Sequence, residues 1–306
     1  MKTIKGVEIL KFTDKFKDDT ICYQYLIDIK WGQGYICPRC DCQEYEKGRK
    51  WYYRRCKKCR YDESVTAGTL FHKLKFPIRK AFHIIYSLGT KKKGMSTTEL
   101  SKEYGLNQKT SWLFKRKVQE AMKSNNNDPL KGLIHVDEFS IGGPEEGKQG
   151  RSDGKKKKVM LAIEILDKAG RNKKNKAVGR AYAEPIEDYS EDSFRPFFSR
   201  NIDKTAQVQT DGYSTYQALK NEYNIDQFYS NGGKAFPELH LHIMNIQNWI
   251  RGIHHHCSEK YLQNYLNEFN FKFNRRCFVD TIFDKLINRF IYTPILTMKM
   301  VCELNG

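Results

Sequence analysis

Residues 133–151, LIHVDEFSIGGPEEGKQGR, set an apolar run against two adjacent acids, Asp137 and Glu138, and then open into a Gly- and charge-rich loop. A carboxylate on a core strand is costly unless it is paired or holds a cation. Alternation along a strand sends Asp137 and Glu138 to opposite sheet faces, so only one of them can join any one site. The stretch reads as the first strand of a buried sheet, closed by Asp137.

Working outward, Lys157–Leu166 (KKVMLAIEIL) and Ala177–Ile186 (AVGRAYAEPI) read as two further strands. Ser190 is a candidate N-cap for a helix over SEDSFRPFFSRNI, and Ala206–Thr210 is a short strand ending at Asp211, with a helix after it. Three strands, helix, strand, helix is an α/β (α+β) layer pattern. If the strands of Asp137 and Asp211 lie side by side, both acids enter one site and repel unless a divalent cation sits between them. Two Mg²⁺ or Mn²⁺ ions held in this way activate an attacking water or hydroxyl on a phosphodiester. A strand-end Asp that merely caps its strand is the plainer alternative.

Upstream, Ser124–Gly132 (SNNNDPLKG) is a polar break suited to a domain boundary, and Pro77–Lys123 is helical in pattern. Within it, Met95–Met122 carries a capping box at Ser96 and Glu99, a turn at Gly105 and a second helix capped by Asn107. Leu100, Tyr104, Trp112, Phe114 and Val118 supply the apolar face. Two short helices joined at a Gly form a helix-turn-helix pattern, in which Lys109, Lys115 and Arg116, with Thr110 and Lys117, would face DNA. Many helix pairs of this kind bind nothing.

Still further upstream, Cys37-Pro-Arg-Cys40 and Cys56-Lys-Lys-Cys59 are separated by fifteen residues. Four thiolates at this spacing can close one tetrahedral zinc site of structural type, with no open position. Cys42 is near enough to be confused with them, but the paired spacing favours the other four. Between the two pairs, Arg49, Lys50 and Arg54 interleave with Trp51, Tyr52 and Tyr53, a composition suited to phosphate contact and base stacking or to covering a small core. The run His254–His256 is a poor metal site, because adjacent helical residues point in different directions.

The totals agree with a polyanionic partner. The 306 residues carry a formal net charge of +18, which favours nucleic acid first and an anionic membrane surface second. No apolar run approaches the length of a membrane span, and the start lacks an apolar signal core, so a cytoplasmic, nucleoid-associated protein with no membrane contact is expected. The basic runs at Lys91–Gly94, Gly154–Lys158 and Arg171–Lys176 read as solvated loops that would add affinity for DNA without reading its sequence.

The zinc ribbon, the helical segment, HVDEFSIGG (135–143), QTDGYSTY (209–216) and YLNEFNFKFNRR (265–276) in this order resemble the ISXO2-like insertion-sequence transposases. The resemblance implies an RNase H-like catalytic domain and the DDE-type reaction, divalent-metal-dependent strand cleavage and strand transfer at element ends. Asp137 and Asp211 match its first two acidic positions. The third has no acid here; Asn245 matches the variant with Asn, although Gln247 stands where that branch has Lys. The implied cofactors are structural Zn²⁺ and catalytic Mg²⁺ or Mn²⁺, and the implied partner is double-stranded DNA, bound by a homo-oligomer. The expected parts are a helical segment (1–32), the ribbon (33–66), a helix-turn-helix-like segment (67–126), the catalytic domain (127–280) and a helical tail (281–306). A DNA-binding protein derived from a decayed transposase and a metal-dependent nuclease without strand transfer are the alternatives.

Overall fold

The computed structural model of the chain describes residues 8–124, 128–143, 156–169, 176–229, 235–254 and 257–303. It divides into two units, Met1–Met122 with Arg275–Gly306, and Lys123–Asn274.

The first unit opens with α1 (Ile9–Lys15) and α2 (Asp19–Trp31), the latter capped by the Asp18 side chain, which accepts the Ile21 amide. A small antiparallel sheet follows, of β1 (Tyr45–Lys47), β2 (Tyr53–Cys56) and β3 (Asp62–Ser64), in that order. Lys30 ties α2 to this sheet, donating to Glu63 at 2.6 Å and to the Ala67 carbonyl at 2.7 Å. Then come α3 (Ile78–Thr90), α4 (Thr97–Tyr104) and α5 (Gln108–Met122). Both halves of the capping box form, Ser96 Oγ accepting the Glu99 amide and the Glu99 carboxylate accepting the Ser96 amide. Gly105 ends α4 at φ 57°, a conformation that disfavours any side chain. The Asn107 side chain then accepts the Lys109 amide and opens α5. Leu100, Phe114 and Val118 are buried as expected, while Trp112 is only partly so.

The second unit is a five-stranded sheet between two helical layers. Its elements are β4 (Leu133–Ile141), β5 (Lys157–Ala169), β6 (Lys176–Ile186), α6 (Glu191–Asn201), β7 (Gln207–Asp211), β8 (Asn224–Phe228), α7 (Pro237–Ile253) and α8 (Leu262–Asn274). The strand order is β6-β5-β4-β7-β8. The first three strands form an antiparallel meander, and β7 and β8 add in parallel to β4. A meander of three strands continued by two parallel ones beside the first is the RNase H-like arrangement. Alternation divides the core as the pleat requires. Ile134 and Val136 of β4 pack with Phe194, Phe197 and Phe198 of α6, whereas Phe139 and Ile141 pack with Leu239 and Ile243 of α7 and Leu266 of α8.

Two features depart from the sequence reading. A 3-10 helix of two turns, Ser214–Leu219, stands where a longer helix is expected after Asp211, and the chain then adds β8. The expected tail is a core element of the first unit, made of α9 (Ile282–Tyr292) and α10 (Met298–Glu303). Ile282, Phe283, Leu286, Ile287 and Phe290 of α9 are all buried. α9 lies so close to α3 that a Cβ on Gly89 would stand 2.7 Å from Ile282 Cγ2 and 3.0 Å from Leu286 Cδ1. Gly89→Val is expected to lower stability by about 1–3 kcal/mol through overpacking, read as a lower unfolding midpoint in urea.

Candidate catalytic site and zinc ribbon

In the ribbon, the two Cys pairs sit on matched turns. The Asp41 amide donates to the Cys37 carbonyl and the Arg60 amide to the Cys56 carbonyl, each at 3.0 Å. The residue after each pair adopts positive φ, 56° at Asp41 and 61° at Arg60. These turns bring Cys37, Cys40, Cys56 and Cys59 together, with all four sulfurs within 4.8 Å of one another. Cys37 and Cys59 lie 3.5 Å apart, and Cys40 and Cys56 3.6 Å. Tetrahedral zinc with Zn–S near 2.3 Å needs sulfurs roughly 3.8 Å apart, so the set fits the ion. The Cys59 amide donates to Cys56 Sγ, and this hydrogen bond foremost draws the Cys56 thiol down to about 6. Cys42 lies outside the cluster, its Sγ near the Glu44 carbonyl.

The basic residues around the ribbon divide. Lys50 and Trp51 are exposed, as is Arg49, which pairs with Asp62 at 3.3 Å. Arg54 does not share that surface: its guanidinium lies 4.5 Å from the Trp31 ring and 4.1 Å from that of Tyr45. Stacked between two rings, it holds the ribbon together. Arg54→Ala is therefore expected to destabilise the ribbon by about 1–2 kcal/mol, visible as earlier zinc release on heating.

The helix-turn-helix expectation is corrected in the same way. Lys109 is exposed in the first turn of α5, but Lys115 and Arg116 are only 1% and 3% exposed. Lys115 Nζ donates to the Met95 carbonyl, Lys117 Nζ to that of Leu70, and Arg116 to Gln119 Oε1. The other end of α5 is closed by α9, with Arg289 donating to the Ala121 carbonyl and Phe290 against Phe114. A helix covered on so many sides spends its cations on internal carbonyls, so these do not face DNA.

The acid pair rests on strand register. β4 pairs in parallel with β7 through His135↔Gln209 and no further. Asp137 and Asp211 each follow two residues later, so both project from the same sheet face just where that pairing stops. Asp137 does not close its strand as expected: β4 runs on to Ile141 against β5. It is the β7 side that ends there, and this opens space beside a mid-strand acid. Glu138 takes the opposite face, as alternation requires, and accepts the Tyr216 hydroxyl at 2.6 Å. Burial, and then the charges of Glu138, Asp137 and Asp211, push that hydroxyl well above its ordinary value, so it stays a donor. Asp211 accepts the Tyr213 amide and Asp137 that of Glu138.

α7 covers the Asp137 face. Gln247 Nε2 donates to the Ser140 carbonyl of β4 at 3.0 Å, and His240 Nε2 stands 4.0 Å from Asp137 Oδ2. Asn245 is exposed, and five residues at 100° each place it about 140° round the helix from His240. The structure thus sets His240 4.0 Å from Asp137, with Asp211 on the same sheet face, and turns Asn245 away from them. Burial holds the His240 pKa below its ordinary value, opposed by the Asp211 charge. The other acids near Asn245 are otherwise used or distant in kind: Glu238 accepts the Lys176 amide, and Glu259 is exposed on a turn of 3-10 helix. His254 stacks on Tyr265 at 4.0 Å, while His255 and His256, like 151–155 and 171–175 of the basic loops, lie outside the described residues.

Residues 129–274 match the family model of the ISXO2-like transposase domain, and residues 17–62 match that of the transposase zinc-ribbon domain. The two matches follow one another along the chain, the zinc ribbon first and the ISXO2-like transposase domain after it. The transposase-domain match ends where the second unit ends, at Asn274, and so spans both acids and all of α7. The ribbon match contains all four cysteines together with the whole of α2. No curated protein matches the chain. Among solved structures, that of a pre-cleavage Mos1 transpososome is similar at 10% identity and a TM-score of 0.25, covering 70% of this chain and 78% of that one. No helix among the described residues is long and apolar enough to cross a membrane.

Proposed function

We propose that the protein cleaves DNA strands at the ends of its own element and joins the freed 3′ ends to target DNA, as a divalent-metal-dependent transposase. The observation that supports this most is the placing of Asp137 and Asp211 on one face at the end of the β4–β7 pairing, within the transposase domain. Two carboxylates so placed are suited to holding Mg²⁺ or Mn²⁺, which would polarise the phosphate and stabilise the attacking and leaving oxygens. Asp137 and Asp211 would be the residues of the sheet that hold the cation. Tyr216, by donating to Glu138, satisfies the acid that the site does not use and keeps its charge off the working face. Asn245, implied as a third ligand by the family, would reach the acids only if α7 turned.

DNA would be gathered by net positive charge and held by the exposed cations and ring of the ribbon, Arg49, Lys50 and Trp51, and by Lys109. Pairing two element ends would require more than one copy of the chain. Double-stranded DNA cut at one end and incubated with Mn²⁺ and a circular target tests the strand-transfer step. Joined products support the transposase, whereas cleavage without joining indicates a nuclease, and tight binding with neither indicates a DNA-binding relic. Lys50→Ala with Trp51→Ala is expected to weaken end binding about tenfold or more without lowering the unfolding midpoint, measured by fluorescence anisotropy and melting.

A further inference from the structure

The third ligand of the acid pair can be sought on the face that α7 turns to it, and the side chain there is His240. Its Nε2 is buried and has no hydrogen-bond partner among the described residues. A buried polar atom left bare costs about 1–3 kcal/mol unless something takes it up. The same nitrogen lies 4.0 Å from Asp137 Oδ2. Two donors held at about 2.1 Å by one octahedral ion stand between roughly 3 and 4.2 Å apart, so this separation suits a shared cation. The rest of α7 offers no competitor at that point. Gln247 is bound to the Ser140 carbonyl, and Asn245 is on another side of the helix.

We propose that His240, through Nε2, is the third protein ligand of the divalent ion, completing an Asp137–Asp211–His240 set in the place that the family resemblance gives to Asn245. The inference rests on the reading of Asp137 and Asp211 as metal ligands. One neutral imidazole beside two carboxylates makes the site softer than three oxygens would, and so favours Mn²⁺ over Mg²⁺.

The test is Mn²⁺ binding to the zinc-loaded full chain without DNA, followed by electron paramagnetic resonance, with pulsed detection of a directly bound nitrogen. Wild type is expected to show that nitrogen coupling. His240→Ala should lose it and bind Mn²⁺ at least about tenfold more weakly, and Asn245→Ala should change neither. His240→Asp should restore binding and move the preference toward Mg²⁺, which a merely structural role for the ring would not produce. Nitrogen coupling that survives His240→Ala, or Mn²⁺ affinity lost in Asn245→Ala instead, overturns the assignment. The two layers separate cleanly: weakened binding in Asp137→Asn with none in His240→Ala removes His240 alone, whereas unchanged binding in Asp137→Asn removes the acid pair and His240 with it.

Discussion

Asp137→Asn and Asp211→Asn, each alone, are expected to reduce single-turnover strand cleavage by roughly a thousandfold or more, equivalent to about 4 kcal/mol of lost transition-state stabilisation. The change keeps the shape of the side chain and removes one charge from the site proposed to hold a cation. In the absence of metal, two carboxylates on one face repel, so the same substitutions should leave the unfolding midpoint unchanged or raised. Loss of activity without loss of stability marks a functional pair, whereas strand-capping acids would show the reverse. The double variant should be little worse than either single one, because ligands of one ion act as a unit.

Cys56→Ser is expected to empty the ribbon of zinc and unfold it while the second unit stays folded. The three strands of the ribbon are 3, 4 and 3 residues long, too short to stand on their own hydrogen bonds. A structural zinc contributes about 10–16 kcal/mol in isolated fingers, far more than so small a core can. Metal analysis should fall from one zinc per chain toward none, and limited proteolysis should then cut between the two cysteine pairs. A chelator should do the same to the wild type, reversibly. Retained zinc and protection in Cys56→Ser would return Cys42 to consideration as a ligand.

The parts of this architecture that local chemistry dictates were legible from residues alone. The Cys spacing, the Ser96–Glu99 box, the Ser190 cap and the three apolar strands each carry a short-range signal that tertiary packing had no reason to override. β8 was not legible because NIDQF is a brief pairing with two apolar residues, sitting at the sheet edge where burial demands little. Lys115 and Arg116 misled because charge on a helix ordinarily means solvent. Here the stems are buried and the charged ends meet carbonyls or an amide, which depends on what packs around α5. The acids were found as strand residues, yet their meeting depends on the parallel register of β4 and β7, fixed only when residues 74 apart along the chain pair up. His240 was missed for a related reason. Helical phase alone puts it with Gln247 on one side of α7, but only the docked helix reveals which side the acids see.

Strand cleavage on the element's own ends tests the central claim most directly. Zinc-loaded protein would be incubated with duplex DNA carrying the sequences that flank its gene, with Mn²⁺ or with EDTA. Nicks at one defined phosphodiester, leaving a 3′-hydroxyl, made only with the divalent ion and abolished in Asp137→Asn, are the predicted result. Cleavage that persists in EDTA or in Asp137→Asn, or tight binding with no nick at all, would contradict it.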